Sequence, residues 1–326
     1  MKLFRISARL HLQMGRYANE VILKMKKQNS VGSMVWLDIK RGICNKRFWI
    51  VEGIFAIVFI ALIFLQAYYP IVRYQKGYGS LDWFVDGLTI TAESEIISIL
   101  GLQLFGNFFP FIGALAFAYS IIDDWKDKYY QQIIQRNTFK KYYWSRFYSS
   151  GIMGGILAVS VFILLIFLAK IGIDYNPFIH NTIQFFKKDM PMEYTYSIYF
   201  GAVCVTENCG FMVWMILGAV SFFLVGTLFG MVAALVGFRT DNRVMLYASP
   251  VIFVMLYEKW IYVMTLLLHK WSFISDLLSY FYIRANYSFF GYGIYYFVLI
   301  FLIALMVVIA KRMEHCVSNR YLEEEE

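Results

Sequence analysis

Residues 152–171 read IMGGILAVSVFILLIFLAKI, an apolar run in which Lys170 is the single charged side chain. A helix of roughly 20 mostly apolar residues crosses the hydrocarbon core of a bilayer, which is about 30 Å thick. The whole chain has the same character, because 60% of its 326 residues are hydrophobic and 16% are charged, against about 25% charged in soluble domains. With a mean hydropathy of +0.57, the sequence predicts a membrane protein and excludes disordered and disulfide-dense classes.

Five other runs of comparable length are similarly poor in interior charge. Because backbone groups in lipid must bond within their own segment, all six runs are predicted to be helices. The predicted fold class is therefore all-α, with a polytopic membrane domain at 48–310, a basic segment at 1–47 and an acidic tail at 311–326. The six predicted spans are 48–69, 97–122, 152–171, 211–238, 244–268 and 291–310.

Basic residues mark one side of this predicted domain. Of the 30 Lys and Arg residues, 22 lie in 1–47, 123–150, 239–243 and 311–326, whereas the three opposite loops hold 6. Since basic loops stay on the cytoplasmic side, both termini are predicted to be cytoplasmic in a cell (plasma) membrane protein. Topology and attraction to anionic membrane lipids explain the net charge of +8, so no nucleic-acid partner is needed.

The N-terminal segment lacks the continuous apolar core of a cleavable signal peptide. Its apolar residues from Leu3 to Val21 recur every three or four positions, and basic residues occupy the other faces. This spacing predicts an amphipathic helix in the inner membrane interface. A solvated tail is the alternative.

The 123–146 segment, between the second and third spans, carries another amphipathic pattern. Trp125, Tyr129 and Ile133 are spaced i, i+4, i+8, with Tyr130 and Ile134 beside them, which indicates an apolar face on a short helix. Acidic residues precede this face and basic residues follow it, as the helix dipole favours. The face either docks against a partner or lies on the membrane.

This segment resembles the first cytoplasmic loop of ABC transporter permeases of the type 2 exporter family. In that pattern an acidic residue closes the second span, aliphatic residues lie on a short coupling helix, and a basic residue opens the third span. Asp124, the pair Ile133 and Ile134, and Arg146 stand at these positions. The resemblance extends to the overall plan of an amphipathic N-terminal helix, six spans and internal termini.

The segment departs from the family pattern at two places. Lys128 and Tyr129 stand where the family has a Gly-Thr pair, and Asn137 replaces the Pro of its turn. These departures fall on the coupling helix itself, so the assignment of individual coupling residues depends on the remaining positions.

The resemblance implies other chains. It implies a separate cytoplasmic ABC-type ATPase that binds the coupling helix, and a second permease copy, identical or related. The sequence contains no G-x-x-x-x-G-K-[ST] phosphate loop, and no Gly is followed by Lys. ATP is therefore expected on the partner, with no cofactor and no catalytic residue in this chain. The expected ATPase contacts are Asp124, Trp125, Tyr129, Ile133, Ile134 and Arg136.

Polar groups inside the predicted spans are candidate pathway residues, because a charge in lipid is expensive. Gln103 and Asn107 are four residues apart in the second span, and Glu258 and Lys259 lie past the middle of the fifth. For Glu258 and Lys259, the alternative is that the span ends near Tyr257 and both residues are external.

The pairs Gly151/Gly155 and Gly226/Gly230 each form G-x-x-x-G, which predicts close helix packing and a candidate face between permease copies.

Two external features complete the prediction. Residues 270–282 are too apolar for a free loop. They resemble the short re-entrant helix that type 2 exporter permeases have before the last span, and an aromatic belt at the interface is the alternative. Cys204 and Cys209 share one external loop and either form a disulfide or remain free thiols. No spacing of Cys and His residues predicts a metal site.

The function expected from this combination is ATP-driven export of an amphipathic peptide, lipid or drug-like compound. An ion-coupled secondary transporter is the nearest alternative, although the two halves show no obvious inverted repeat. A membrane immunity protein without transport activity is a further alternative. A membrane-embedded enzyme is the least favoured, because neither H-E-x-x-H nor G-x-S-x-G is present.

Overall fold

The computed structural model describes residues 30–65, 109–135, 137–174, 211–268 and 289–323, and all regular elements in these ranges are helical. Two π-helical segments, Ala114–Ala118 and Lys170–Asp174, directly follow the helices Pro110–Gly113 and Phe139–Ala169. The helices are α1 (Val31–Ile43), α2 (Lys46–Ile63), α3 (Pro110–Gly113), α4 (Tyr119–Lys126), α5 (Tyr129–Ile134), α6 (Phe139–Ala169), α7 (Phe211–Gly237), α8 (Arg243–Leu267) and α9 (Phe289–Glu323).

Four of these helices are long and apolar enough to cross a membrane. They comprise Phe139–Gly172, Met215–Gly237, Arg243–Leu267 and Tyr295–Asn319. The described part of the chain is therefore all-helical and has the long apolar helices of a membrane protein, and the third to sixth predicted spans lie on helices of sufficient length and apolar character. The first two predicted spans are only partly described. In the described residues, α2 covers the start of the first span, and α3 and α4 cover the end of the second.

Helix boundaries depart from the predicted spans at one end of the molecule. The third span was expected from 152, but α6 begins at Phe139, because Tyr142, Tyr143 and Phe147 are fully buried against other helices. Likewise α9 continues through most of the expected tail 311–326, to Glu323. Protein packing covers the extension of α6, whereas most of the described side chains of the α9 extension are exposed and Val317 is buried. Apolar length alone therefore underestimates both helices.

Polar caps fix where the helices of this end begin. The Asn45 side chain accepts from the Arg47 N–H and separates α1 from α2, and the Thr138 side chain accepts from the Lys141 N–H at the start of α6. Asn242 does the same for α8 after a short turn from α7. Caps of this kind satisfy backbone donors that a helix start leaves open.

The centre of the molecule is the crossing of α6 and α7. A Cβ built on Gly226 would lie 2.4 Å from the Gly154 carbonyl oxygen, and one built on Gly230 would lie 2.2 Å from that of Ser150. Only glycine permits such an approach of two backbones. Gly151 and Gly155 face the side chains of α7 in the same crossing. Both G-x-x-x-G pairs are thus used within one chain, which removes them as a face between copies.

Several predicted features lie outside the described residues. These are the helix within 1–29, the candidate pathway residues Gln103 and Asn107, the coupling residue Arg136, the cysteines Cys204 and Cys209, and the segment 270–282.

Candidate functional site

A buried ionic cluster ties the 123–146 segment to the rest of the protein. The Arg146 side chain is 2% exposed, and its two terminal nitrogens each lie 2.5 Å from a carboxylate oxygen, one of Asp38 and one of Asp124. The Tyr142 hydroxyl donates to Asp124 at 3.3 Å, and the Ser149 hydroxyl donates to Asp38 at 3.4 Å. We call these five residues, together with Arg41, the Arg146 cluster.

Helix periodicity places each member of the cluster. Asp38 shares the inner face of α1 with the buried residues Val35, Ile39 and Gly42. Because α1 lies along α6, with Gly42 against the Met153 side chain, this face points at α6. A helix that buries one stripe every three to four residues also buries any polar residue on it, and such a residue needs a partner.

The cluster is electrically balanced. Arg41 adds a second positive charge 3.8 Å from Asp124, so two cations face two carboxylates. Burial raises the pKa of the Asp38 and Asp124 carboxyls, and the charge of Arg146 only partly opposes this rise. For Arg146 the balance is the opposite, because the two carboxylates raise its pKa despite burial. The cost of removal from water and the gain from pairing thus largely offset each other, as is common for buried ion pairs. The cluster therefore fixes the relative positions of α1, α4 and α6 more than it adds net stability.

The 123–146 segment contains the end of α4 and the short helix α5, and neither helix carries the whole of the predicted apolar face. Trp125 belongs to α4, whereas Tyr129 and Ile133 belong to α5, and the two helices are separated at Asp127 and Lys128. Lys128 has a φ of 53°, in the left-handed region. The residues spaced i, i+4 and i+8 therefore do not lie on one continuous helix, because the turn at Asp127 and Lys128 separates α4 from α5.

The aromatic face of this segment packs inward. Tyr130 is buried, and its ring centroid lies 4.6 Å from that of Trp125. The Arg41 guanidinium lies 5.4 Å from the Tyr129 ring centroid, which connects α5 to α1 as well. Ile133 and Ile134 are partly buried against the core. The exposed side chains at this position are Lys126, Asp127, Lys128, Gln132 and Gln135.

A second ionic cluster lies at the same end of the molecule. Asp123 accepts from Arg47 at 3.3 Å and from Arg243 at 2.5 Å, which joins the starts of α2 and α8 to the end of α4. The Asn45 amide donates to the Tyr119 hydroxyl at 2.7 Å, and the Arg47 guanidinium lies 4.1 Å from the Tyr119 ring centroid. The starts of α2 and α8 therefore meet the end of α4 next to the Arg146 cluster.

The start of α6 is also bonded to α9. The Tyr143 hydroxyl donates to the Ala310 carbonyl at 2.9 Å, and the Trp144 indole donates to Glu314 at 3.0 Å. Lys140 lies 3.8 Å from the same carboxylate. The part of α6 that precedes Arg146 is thus held on one side by α4, through Tyr142 and Asp124, and on another by α9.

The remaining described site residues lie far from these clusters along the chain. Glu258 and Lys259 are inside α8, which continues without interruption to Leu267, so the helix does not end near Tyr257. The Lys259 amino group lies 6.0 Å from the Tyr262 ring centroid. Among the described residues no group of three or more His, Cys, Asp or Glu side chains could hold a metal ion.

Sequence reasoning found two members of the Arg146 cluster and missed the others. Asp124 and Arg146 were singled out, whereas Asp38, Arg41 and Tyr142 were not. The available signal was the position of Asp38, an acidic residue between the apolar Val35 and Ile39 on one helix face. Its partner could not be inferred, because Asp38 and Arg146 are 108 positions apart.

No known protein family, curated protein or solved structure matches the chain.

Proposed function

We propose that this chain is the membrane-spanning subunit of an ATP-driven exporter, with six spans and both termini in the cytoplasm of a cell whose plasma membrane it crosses. A separate ABC-type ATPase binds at α5, and a second permease copy completes the pathway. The cargo is an amphipathic peptide, lipid or drug-like compound that moves outward. In this proposal the chain itself is not an enzyme and binds no cofactor.

The Arg146 cluster is the observation that carries the proposal. A partner pressing on α5 would act on a segment whose two ends, Asp124 and Arg146, form an ion pair with each other, and Arg146 also pairs with Asp38 of α1. Buried groups held in this way move together, because packed interiors deform little. A push on α5 is therefore transmitted to α6 and α1 as a rigid-body movement.

The backbone at Lys128 is a second, independent support. Its φ of 53° is a conformation that glycine adopts without steric cost. Lys128 stands where the type 2 exporter pattern has the Gly of its Gly-Thr pair. A conformation that suits the family's residue is thus retained although the residue has changed, which favours the resemblance.

Within this proposal the roles of the predicted coupling residues differ. Asp124 is 2% exposed and bonded inside the Arg146 cluster, so it positions the segment and does not touch the ATPase. Gln132 and Gln135 are exposed on and just after α5. Together with the half-buried Tyr129 and Ile133, they form the surface that a docked ATPase would meet.

The first experiment isolates the complex. The tagged chain, purified in mild detergent, is expected to retain an ATPase subunit in fixed stoichiometry. A photoreactive benzoylphenylalanine at Gln132 or Gln135 should crosslink that subunit. The same group at Asp241, which is exposed on the turn between α7 and α8, is the matched control and should crosslink it far less.

Two results would reject the proposal. One is a chain that purifies without an ATPase and whose Gln132 and Gln135 variants crosslink no more than the Asp241 variant. The other is substrate movement in liposomes that needs an ion gradient and no ATPase, which would assign the chain to ion-coupled secondary transport instead.

A further inference from the structure

Glu52 lies within the apolar part of α2, at a depth where a carboxylate needs an explanation. It is six residues past Lys46, the first residue of the helix, which corresponds to about 9 Å along the axis. Its side chain is partly buried. A charged carboxylate in a membrane interior is expensive and is by default a functional group. The proposed export mechanism does not use it.

Ser160 of α6 is the described partner of this carboxyl. The Ser160 hydroxyl lies within hydrogen-bonding distance of a Glu52 carboxyl oxygen and also 2.8 Å from the Leu157 carbonyl oxygen. A serine hydroxyl carries one hydrogen and can both donate and accept. The Leu157 carbonyl can only accept, so the position of the serine hydrogen decides what Glu52 must do.

Two protonation states fit these positions without movement of the heavier atoms. When Ser160 donates to Leu157, the contact with Glu52 requires a protonated carboxyl that donates to the serine oxygen. When the hydroxyl rotates and donates to Glu52, the carboxyl is ionised and acts as acceptor. The pair is therefore built to hold a proton or to release it.

The charges around Glu52 favour the protonated state. No Lys, Arg or His among the described residues lies within ion-pair distance of its carboxyl. On α2 the cation nearest to Glu52 in sequence is Arg47, and its guanidinium is paired with Asp123. Lys170, the first residue after α6, follows Ser160 by ten residues, about 15 Å along the axis. A carboxyl without a nearby cation in apolar surroundings retains its proton.

We propose that Glu52 and Ser160 form a proton-binding site between α2 and α6, which is occupied at neutral pH. Proton release would place a negative charge between the two helices and so couple their packing to pH. This site depends on α2 being a membrane span and not on the ATPase, so its test and that of the export proposal fail independently.

Dicyclohexylcarbodiimide is a suitable probe, because it is apolar and reacts with protonated carboxyl groups. The full chain in lipid vesicles is treated over a range of pH, and modification is mapped by peptide mass spectrometry. We expect at least about tenfold more modification of Glu52 than of the exposed Asp127 at neutral pH, since the apolar reagent needs a protonated carboxyl and a carboxyl in apolar surroundings retains its proton. Modification of Glu52 should then fall at alkaline pH.

Two variants separate this role from a purely structural one. Ser160→Ala removes the hydrogen bond of both states, and the bond to the ionised carboxylate is the stronger one, so modification of Glu52 should persist to higher pH in this variant. Glu52→Gln keeps the shape and should abolish both that modification and the infrared band of a protonated carboxyl, which the unmodified protein should show at neutral pH. The infrared measurement remains decisive if the reagent does not reach the site. A Glu52 that is modified no more than Asp127 at neutral pH, or an infrared band unchanged in Glu52→Gln, would overturn the proposal.

Discussion

Lys128 is, among the described residues other than glycine, the one with a positive φ. Its side chain is exposed and lies at the turn between α4 and α5, so no packing of the side chain explains the conformation. The left-handed region costs a residue with a Cβ roughly 1–2 kcal/mol. The turn persists because the residues on both sides are held by buried contacts, Asp124 before it and Tyr130 after it.

Lys128→Gly should therefore stabilise the protein. Relief of the left-handed strain, less the larger entropy that glycine gains in the unfolded chain, leaves a net gain of about 0.5–1 kcal/mol. The measurement is denaturant unfolding in mild detergent, followed by circular dichroism. Lys126→Gly is the matched control, because it removes the same charge from a helical position of α4 and should destabilise by about 0.5–1 kcal/mol. Equal effects of the two variants would contradict the strain argument.

The Arg146 cluster gives a second prediction at the scale of single residues. Arg146→Met leaves the buried carboxylates of Asp38 and Asp124 without their main partner, and breaking a buried pair in this way costs about 3–5 kcal/mol. Adding Asp38→Asn and Asp124→Asn removes the uncompensated charges, so the triple variant should regain a large part of the loss in the same unfolding measurement.

Lys140→Met is the control for that experiment. Lys140 is on the same helix and lies 3.8 Å from the Glu314 carboxylate, but its side chain is 71% exposed. Exposed ion pairs contribute about 0–1 kcal/mol. A loss at Lys140 as large as that at Arg146, or a triple variant no more stable than Arg146→Met, would show that the cluster is not held by charge pairing.

At the scale of helices, the crossing of α6 and α7 depends on glycine. Gly226→Ala would place a methyl group 2.4 Å from the Gly154 carbonyl oxygen and 2.6 Å from the Ala158 Cβ. Backbone atoms cannot give way as a flexible side chain does, so the helices must separate, at a cost of about 1–3 kcal/mol or more. The expected result is a lower midpoint of thermal unfolding in detergent.

Gly53→Ala tests whether this loss is specific to the crossing. Gly53 is in the interior of α2 and is exposed, and a Cβ built on it meets nothing within 4 Å. The substitution should be neutral or stabilising, because alanine favours helix over glycine by about 1 kcal/mol. If Gly226→Ala behaves like Gly53→Ala, the close approach of α6 and α7 is wrong.

Helices differ in how far their sequences predict them. The apolar runs of α7 and α8 predicted spans at 211–238 and 244–268, and the helices end within one residue of these limits, because cap and turn residues follow directly. The start of α6 was not predictable from the same rule. Its first turns are covered by Asp38 of α1 and by α9, and such long-range partners leave no local pattern.

At the scale of the whole molecule, one end of the helix bundle carries nearly all of the charge pairing described here. The Arg146 cluster, the ion pairs of Asp123 and the contacts of Glu314 all lie where α4 ends and α6 and α8 begin. Membrane class and helical fold followed from composition alone. The candidate site did not, since a basic loop predicts which side it faces but not which carboxylates it meets.

The orientation of this end is the property on which the proposed mechanism depends, and it is directly testable. In a variant without native cysteines, Gln132→Cys places a thiol on the exposed side of α5. A membrane-impermeant maleimide should label it only after the cells are permeabilised, because basic loops stay in the cytoplasm. Leu268→Cys is the matched control at the opposite end of α8, about 37 Å away along the helix axis, and should be labelled in intact cells. If Gln132→Cys is labelled in intact cells and Leu268→Cys is not, α5 faces outward, where no ATPase can reach it.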